Sequence, residues 1–300
     1  MRVSLPLLQR LWSPGLSVNR PPKPASELVE RRLTFNSSAS EVASAVISAD
    51  GKYLAYSDLP GIHLRLLSRG EERLIPASAV APAGAFSSVD SWFPNGTELL
   101  GHSWEAGGRV SIWATSIMGQ SPRELRAGAW GWSVSPDGRQ IAFSPADAGR
   151  WKPEIWVMGN QGENPRKVLS LAAGELLCSV RWSPTGQRLA YIIMQRSGNS
   201  LETCDLNGAN RTVVLNAPGL NRWARSLWWL PDGRMIYSQA EAADMEANLW
   251  SIGVNVLDGK AVDKPKRMTH WAGVDVKGLS ASTDGTGSSC GKSHSRLKFT

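Results

Sequence analysis

No stretch of this 300-residue chain approaches the roughly 18 apolar residues that a membrane-spanning helix needs. Its start, MRVSLPLLQRLWSPGLS, opens with a charge and a short apolar run, but Arg10 interrupts that run, so it does not read as a secretory signal. Cysteine is scarce. Cys178, Cys204 and Cys290 cannot all pair within one chain and lack metal-ligand spacing, which excludes a disulfide framework; the first two are expected as buried free thiols. The four histidines, His63, His102, His270 and His294, are too scattered for a zinc triad. A serine hydrolase would carry Gly-x-Ser-x-Gly at a strand-to-helix turn; GWSVS, from Gly131, fails at its last position. A phosphate loop is missing too. In GTGSSCGKS the glycine required before Gly291-Lys292-Ser293 is replaced by Thr286, with no apolar strand leading in. No catalytic residue, metal or cofactor is expected.

The chain also lacks a charged body. Its net charge of +7 comes from residues 1–35, at +4, and residues 286–300, at +3, which leaves 36–285 neutral. A folded nucleic-acid binder needs a basic face on the body, so nucleic acid is not expected as a partner. Phe and Tyr are few, at 5 and 4, while Trp numbers 14. Gly (29) and Pro (18) punctuate the chain at close intervals, which favours many short strands over long helices.

One punctuation mark recurs. Aligned on the turn glycine, the copies are ISADG to Gly51, WFPNG to Gly96, VSPDG to Gly138, WSPTG to Gly186, WLPDG to Gly233 and ASTDG to Gly285, spaced 42 to 52 residues apart. The flanks repeat with it. Four residues before the glycine stand Ile47, Trp92, Val134, Trp182, Trp229 and Ala281; six before stand Ala45, Asp90, Trp132, Val180, Leu227 and Leu279. Apolar positions two apart describe a strand, with Asp90 the misfit. Leu54, Leu99, Ile141, Leu189 and Ile236 open a second strand, Trp113, Trp156 and Trp250 mark a third, and a fourth ends near Leu74, Leu125, Val168, Val213 and Met268. Four short antiparallel strands in units of about 45 residues make a propeller blade. The recurring Asp50, Asp137 and Asp232 read as turn formers whose side chains bond their own backbone, and His63, standing at a strand Trp position, reads as packing.

WSPTGQRLAYI, VSPDGRQIAFS and the unit ends PRKVL and KRMTH resemble the WD-like repeats of TolB-type β-propellers, over about residues 30–285. The whole chain also resembles the propeller region of large acidobacterial proteins, in which such blades follow a membrane segment and a serine/threonine kinase or winged-helix regulatory domain. The resemblance implies an all-β propeller of four-stranded antiparallel blades, about six, the last incomplete, in a periplasmic or other extracytoplasmic setting. On this reading residues 1–29 are a basic, Pro-rich leader, 30–285 the propeller and 286–300 an aberrant, disordered tail of a chain truncated or frame-shifted after Gly285. ERRLTFN, Glu30 to Asn36, matches a fourth strand and is expected to pair as an outer strand of the last blade.

The functional expectation is a protein- or peptide-binding scaffold, a fragment of a larger protein, that performs no catalysis. A sensory propeller region of a kinase or regulator and the propeller part of a prolyl-oligopeptidase-type peptidase are the alternatives. The first-to-second and third-to-fourth turns read as short, whereas HSWEAGGR, SPADAGRWKP, NAPGLNRWARS and SQAEAADMEAN are long and would emerge together on one face. They carry Trp104, Arg150, Trp151, Arg222, Trp223 and Arg225, of the residue types enriched at interface hot spots, and these are the candidate partner-binding residues.

Overall fold

The computed structural model describes residues 31–34, 36, 40–119, 121–147, 150–220, 226–240, 247–272, 274–283 and 288–294. For Trp151 and for residues 274, 275, 277 and 288–294 it describes the backbone alone. The chain divides into a segment of residues 1–35 and a body of residues 36–300. In the first, residues 31–34 belong to no strand, so the outer strand expected from Arg31 to Phe35 is not formed by them; Phe35 lies outside the described residues.

The body is a succession of antiparallel meanders. Blade 1 holds β1 (Ser44–Ile47), β2 (Tyr53–Asp58), β3 (Gly61–Leu66) and β4 (Glu72–Pro76), and a single helical turn, α1 (Ala77–Val80), leads out of it. Blade 2 holds β5 (Phe86–Trp92), β6 (Glu98–Trp104), β7 (Val110–Ser116) and β8 (Arg123–Ala127). Blade 3 is built from β9 (Ala129–Val134), β10 (Gln140–Asp147), β12 (Glu154–Gly159) and β13 (Arg166–Ser170), with a short β11 (Arg150–Trp151) folded back on the end of β10. Blade 4 comprises β14 (Leu176–Trp182), β15 (Arg188–Gln195), β16 (Gly198–Asp205) and β17 (Thr212–Asn216). Blade 5 comprises β18 (Leu227–Trp229), β19 (Arg234–Ala240), β20 (Ala247–Gly253) and β21 (Lys266–Arg267). A sixth sheet pairs β22 (Val274–Ala281) with β23 (Ser288–His294). Ser288–His294 thus forms a strand where the sequence suggests an unstructured tail, and the incomplete last blade has two strands among the described residues.

The turn motif sets the geometry of each blade. In blade 3, Ser135 Oγ donates to Asp137 Oδ1 at 2.6 Å, Arg139 N donates to the same oxygen at 3.1 Å, and Gln140 N donates to Ser135 Oγ at 2.9 Å. Blade 1 repeats these bonds with Ser48, Asp50, Lys52 and Tyr53. Gly138 closes the turn at φ +74°, a conformation open to glycine because it has no Cβ. The turn then launches Leu54, Leu99, Ile141, Leu189 and Ile236 on β2, β6, β10, β15 and β19, all of them buried.

The core lies between the blades, not within one. Val46, Ile62 and Ile75 of blade 1 pack with Val89, Trp92, Leu99 and Trp113 of blade 2. Ile155 and Val168 of blade 3 meet Trp182, Leu189 and Tyr191 of blade 4, and Ile192 and Leu201 of blade 4 meet Trp229, Met235 and Tyr237 of blade 5. Each sheet buries both faces because its two sides pack on different neighbours, which is why a lone blade has no stability of its own. Tryptophans four residues before the turn glycine reach across the junctions: Trp92 Nε1 donates to Val46 O at 3.0 Å and Trp182 Nε1 to Ser133 O at 3.2 Å. Blade 6 meets blade 1 through Ile47 N donating to Ser280 Oγ at 2.9 Å and Thr283 N donating to Ala49 O at 2.8 Å. The inner strands therefore close into a ring.

One loop departs from the sequence reading. Residues 254–265, between β20 and β21, form the long third-to-fourth connection of blade 5, on the face where short turns were expected. It lies back on blade 4, where Thr203 Oγ1 and Thr212 Oγ1 donate to the carbonyls of Gly259 and Asp258.

Candidate functional site

The second-to-third connections and the links between blades share one face of a meander propeller, and blade 2 presents an aromatic group there. Phe86 opens β5 and Trp104 closes β6, directly opposite each other in the sheet. Both remain exposed, at 40% and 46%. Across the junction to blade 3 the Trp130 ring stands 6.5 Å from that of Trp104 and 4.4 Å from that of His102. Sequence reasoning found Trp104 but not Phe86 or Trp130; the signal available for Phe86 was its place at the start of an inner strand.

Beneath this group lies the misfit of the repeat. Asp90 is the extra residue of a β-bulge, where the β5–β6 register shifts between Val89 and Ser91. The bulge turns its fully buried carboxylate toward His102, whose Nδ1 lies 2.9 Å and 3.0 Å from the two oxygens. A carboxylate only accepts, so Nδ1 carries the hydrogen and the imidazole ring is held in one orientation against Trp130. A side chain at Gly131 would place its Cβ 2.7 Å from Asp90 Oδ2, so the close approach of blade 3 depends on glycine there. His102 is itself buried, so the pair positions Trp130 rather than meeting solvent. Among the described residues no group of three or more His, Cys, Asp or Glu side chains is arranged to hold a metal ion.

Arg150 and Trp151 make up β11, paired with Asp147 and Ala146, and Arg150 is exposed. The loop read as SPADAGRWKP is therefore partly a two-stranded ribbon extending β10. Arg222, Trp223 and Arg225 lie outside the described residues. Of the expected site residues, the structure thus places Trp104 in an aromatic group and Arg150 on a ribbon of the next blade.

Deeper in, Arg181 of β14 joins three blades. Its guanidinium donates to Trp132 O of blade 3 at 2.6 Å and to Leu227 O of blade 5 at 3.0 Å, and lies 5.1 Å from the Trp228 ring centre. Among the described residues no helix is long and apolar enough to cross a membrane.

No protein-family model matches the chain. It is 27% identical over 153 residues to the Tol-Pal system protein TolB of Thioalkalivibrio sulfidiphilus, a match covering 50% of this chain and 33% of that protein. The chain spans a third or less of the length of the curated relatives it matches. Among solved structures, one described as TolB from Agrobacterium tumefaciens superposes with a TM-score of 0.62 at 13% identity, covering 86% of this chain and 91% of that one. Oligogalacturonate lyase from Vibrio parahaemolyticus superposes with a TM-score of 0.58 at 15% identity, covering 85% and 75%. The architecture thus hosts both proteins of a Tol-Pal system and an enzyme, and does not by itself decide between binding and catalysis. By its repeats and its blades, the chain is an all-β propeller of four-stranded antiparallel blades, similar in sequence and in fold to TolB proteins.

Proposed function

We propose that this propeller is a non-enzymatic module that binds a protein or peptide partner on its long-loop face. The observation that carries the reading is the exposed pair Phe86 and Trp104, fixed by a β-sheet, backed by Trp130 and anchored on the buried Asp90–His102 pair. Rigid aromatic side chains lose little entropy on binding, which makes such a group a natural interface anchor. From their loop positions in the sequence, Arg150, Trp151, Arg222, Trp223 and Arg225 are proposed to extend this surface. The likeness to proteins named for the Tol-Pal system supports a protein partner. The absence of catalysis is part of the proposal, as is the absence of nucleic acid among its partners.

The test starts from a partner captured by pull-down and then measured as a purified pair. Trp104→Ala is expected to weaken binding at least tenfold, in line with the roughly 2 kcal/mol of a hot spot. Asn207→Ala, on the opposite face, should leave affinity unchanged. Binding that survives Trp104→Ala and Trp151→Ala but is lost with Asn207→Ala would place the interface on the other face and overturn the reading.

A further inference from the structure

A second site is built into the side of blade 2 that faces blade 1. A cleft of about 210 Å³ opens between the link around α1 and the outer strands of the blade. Ala79, Val80 and Pro82 form one wall, and Ser103, Ser111 and Trp113 the other, with Glu105, Arg109 and Glu124 at its rim. Ser87, Ser103 and Ser111 stand side by side on three neighbouring strands, because Ser87 pairs with Ser103 and Ser103 with Ser111. Residues directly opposite in a sheet project to the same side, so this row of hydroxyls shares one face. Trp113, two residues along β7 from Ser111, projects to that side as well.

Two polar atoms that line the cleft lack partners in the protein. Ser111 Oγ and Trp113 Nε1 are buried without a hydrogen bond to the protein, in residues only 6% and 2% exposed, and so is Ser87 Oγ. Buried polar groups are nearly always satisfied, so Ser111 Oγ and Trp113 Nε1, both in residues lining the cleft, with Ser87 Oγ beside them on the same face, call for an acceptor and donors from elsewhere. Trp113 Nε1 only donates, whereas the serine hydroxyls both donate and accept. At the rim Arg109 lies 3.7 Å from Glu105 and 3.6 Å from Glu124, so its charge is set against two carboxylates and does not attract an anion.

We infer that this cleft binds a small neutral polyhydroxy compound of about monosaccharide size. Serine hydroxyls that both donate and accept, beside the Trp113 Nε1 donor, suit the hydroxyls of a polyol, and the Ala79–Val80–Pro82 wall suits the C–H face of such a molecule. The volume is below the roughly 300–1,000 Å³ of pockets for larger ligands, which excludes an extended peptide. Ser103 projects to the side of β6 opposite to Trp104, so the cleft and the aromatic group lie on opposite sides of that strand even though Glu105 and Arg109 at the rim belong to the same loop. A Ser111 variant therefore tests the cleft without touching Trp104.

The experiment is saturation-transfer-difference NMR on the full chain with D-glucose, methyl α-mannoside and myo-inositol, and with sodium acetate and N-methylacetamide as anionic and peptide-like probes. Transfer to at least one polyol and none to acetate is expected. Ser111→Ala should weaken that binding roughly tenfold, the loss of about one hydrogen bond. It should not lower the melting temperature, because the hydroxyl removed has no partner in the fold. Trp113→Phe, which keeps the ring volume in large part, should weaken binding as well. Absence of transfer to all three polyols at tens of millimolar overturns the proposal, as does polyol binding unchanged in Ser111→Ala. Ser111-dependent binding of acetate or N-methylacetamide instead of the polyols overturns the assignment of ligand class.

Discussion

Cys178 and Cys204 lie in the junctions on the two sides of blade 4, each in contact with a different neighbouring blade's core. Burial pushes both thiols up to about 12, because the thiolate would lose its hydration there. A thiol with so little thiolate at neutral pH is a poor nucleophile, and neither cysteine forms a disulfide. In a Cys290→Ser background, native protein is therefore expected to react negligibly with a thiol reagent at pH 8 and to react with two equivalents once unfolded. Fast labelling of the native state would show that blade 4 opens locally or that these residues are not packed as described. Asp90 makes the complementary point about single residues. Its charged side chain breaks the repeat, yet it is one of the best-buried groups in the chain, because a bulge gives it His102 as a partner.

At the scale of the element, the recurring turn couples acid titration to folding. The Ser48 and Ser135 hydroxyls donate to Asp50 and Asp137 and hold both carboxyls below their ordinary value of 3.8, with backbone amides adding to the effect. A carboxyl lowered in the fold contributes stability that is fully present above its unfolded pKa and is lost as pH falls through its folded pKa. The loss therefore falls below about pH 4, the ordinary range of an aspartate. Urea midpoints should drop as pH is lowered through this window, and a combined Asp50→Asn and Asp137→Asn variant should show a shallower drop. A variant whose midpoints run parallel to the wild type would mean these turns do not carry the titration. The same Ser-x-Asp-Gly chemistry explains why the acids recur in different blades, as structure rather than as catalytic groups.

For the whole molecule, the stability of the ring rests on junctions more than on any sheet. Arg181 holds carbonyls of blades 3 and 5 while belonging to blade 4, and it is almost fully buried. Arg181→Ala is expected to lower unfolding stability by about 2–4 kcal/mol, since hydrogen bonds to a charged donor contribute about 1.5–3 kcal/mol each. Chemical denaturation measures it, and a loss under about 1 kcal/mol would show that the inner strands hold without this link. Closure between β1 and β22 gives the sixth sheet a role despite its two described strands. Ser280 and Thr283 tie it to blade 1, and Leu230 and Ile236 of blade 5 pack on Val276 and Leu279.

The blade repeat, its turn chemistry and its buried strand positions were legible in the amino-acid order, because each depends on residues a few positions apart: Ser135 with Asp137, or Ile141 three after Gly138. Trp104 was legible as a loop residue for the same reason. What only the tertiary structure decided involves residues far apart along the chain and brought together by the ring. Phe86, Trp104 and Trp130 meet across a blade junction, Asp90 finds His102 through a bulge, and Arg181 reaches the carbonyls of Trp132 and Leu227. The pairing of Ser288–His294 with β22 and the placing of residues 31–34 outside any strand belong to the same class. Local pattern specifies which residues can form a strand. Which edge a strand joins, and which polar group is buried beside which, depends on how the blades pack against one another, and the period of the repeat does not encode that.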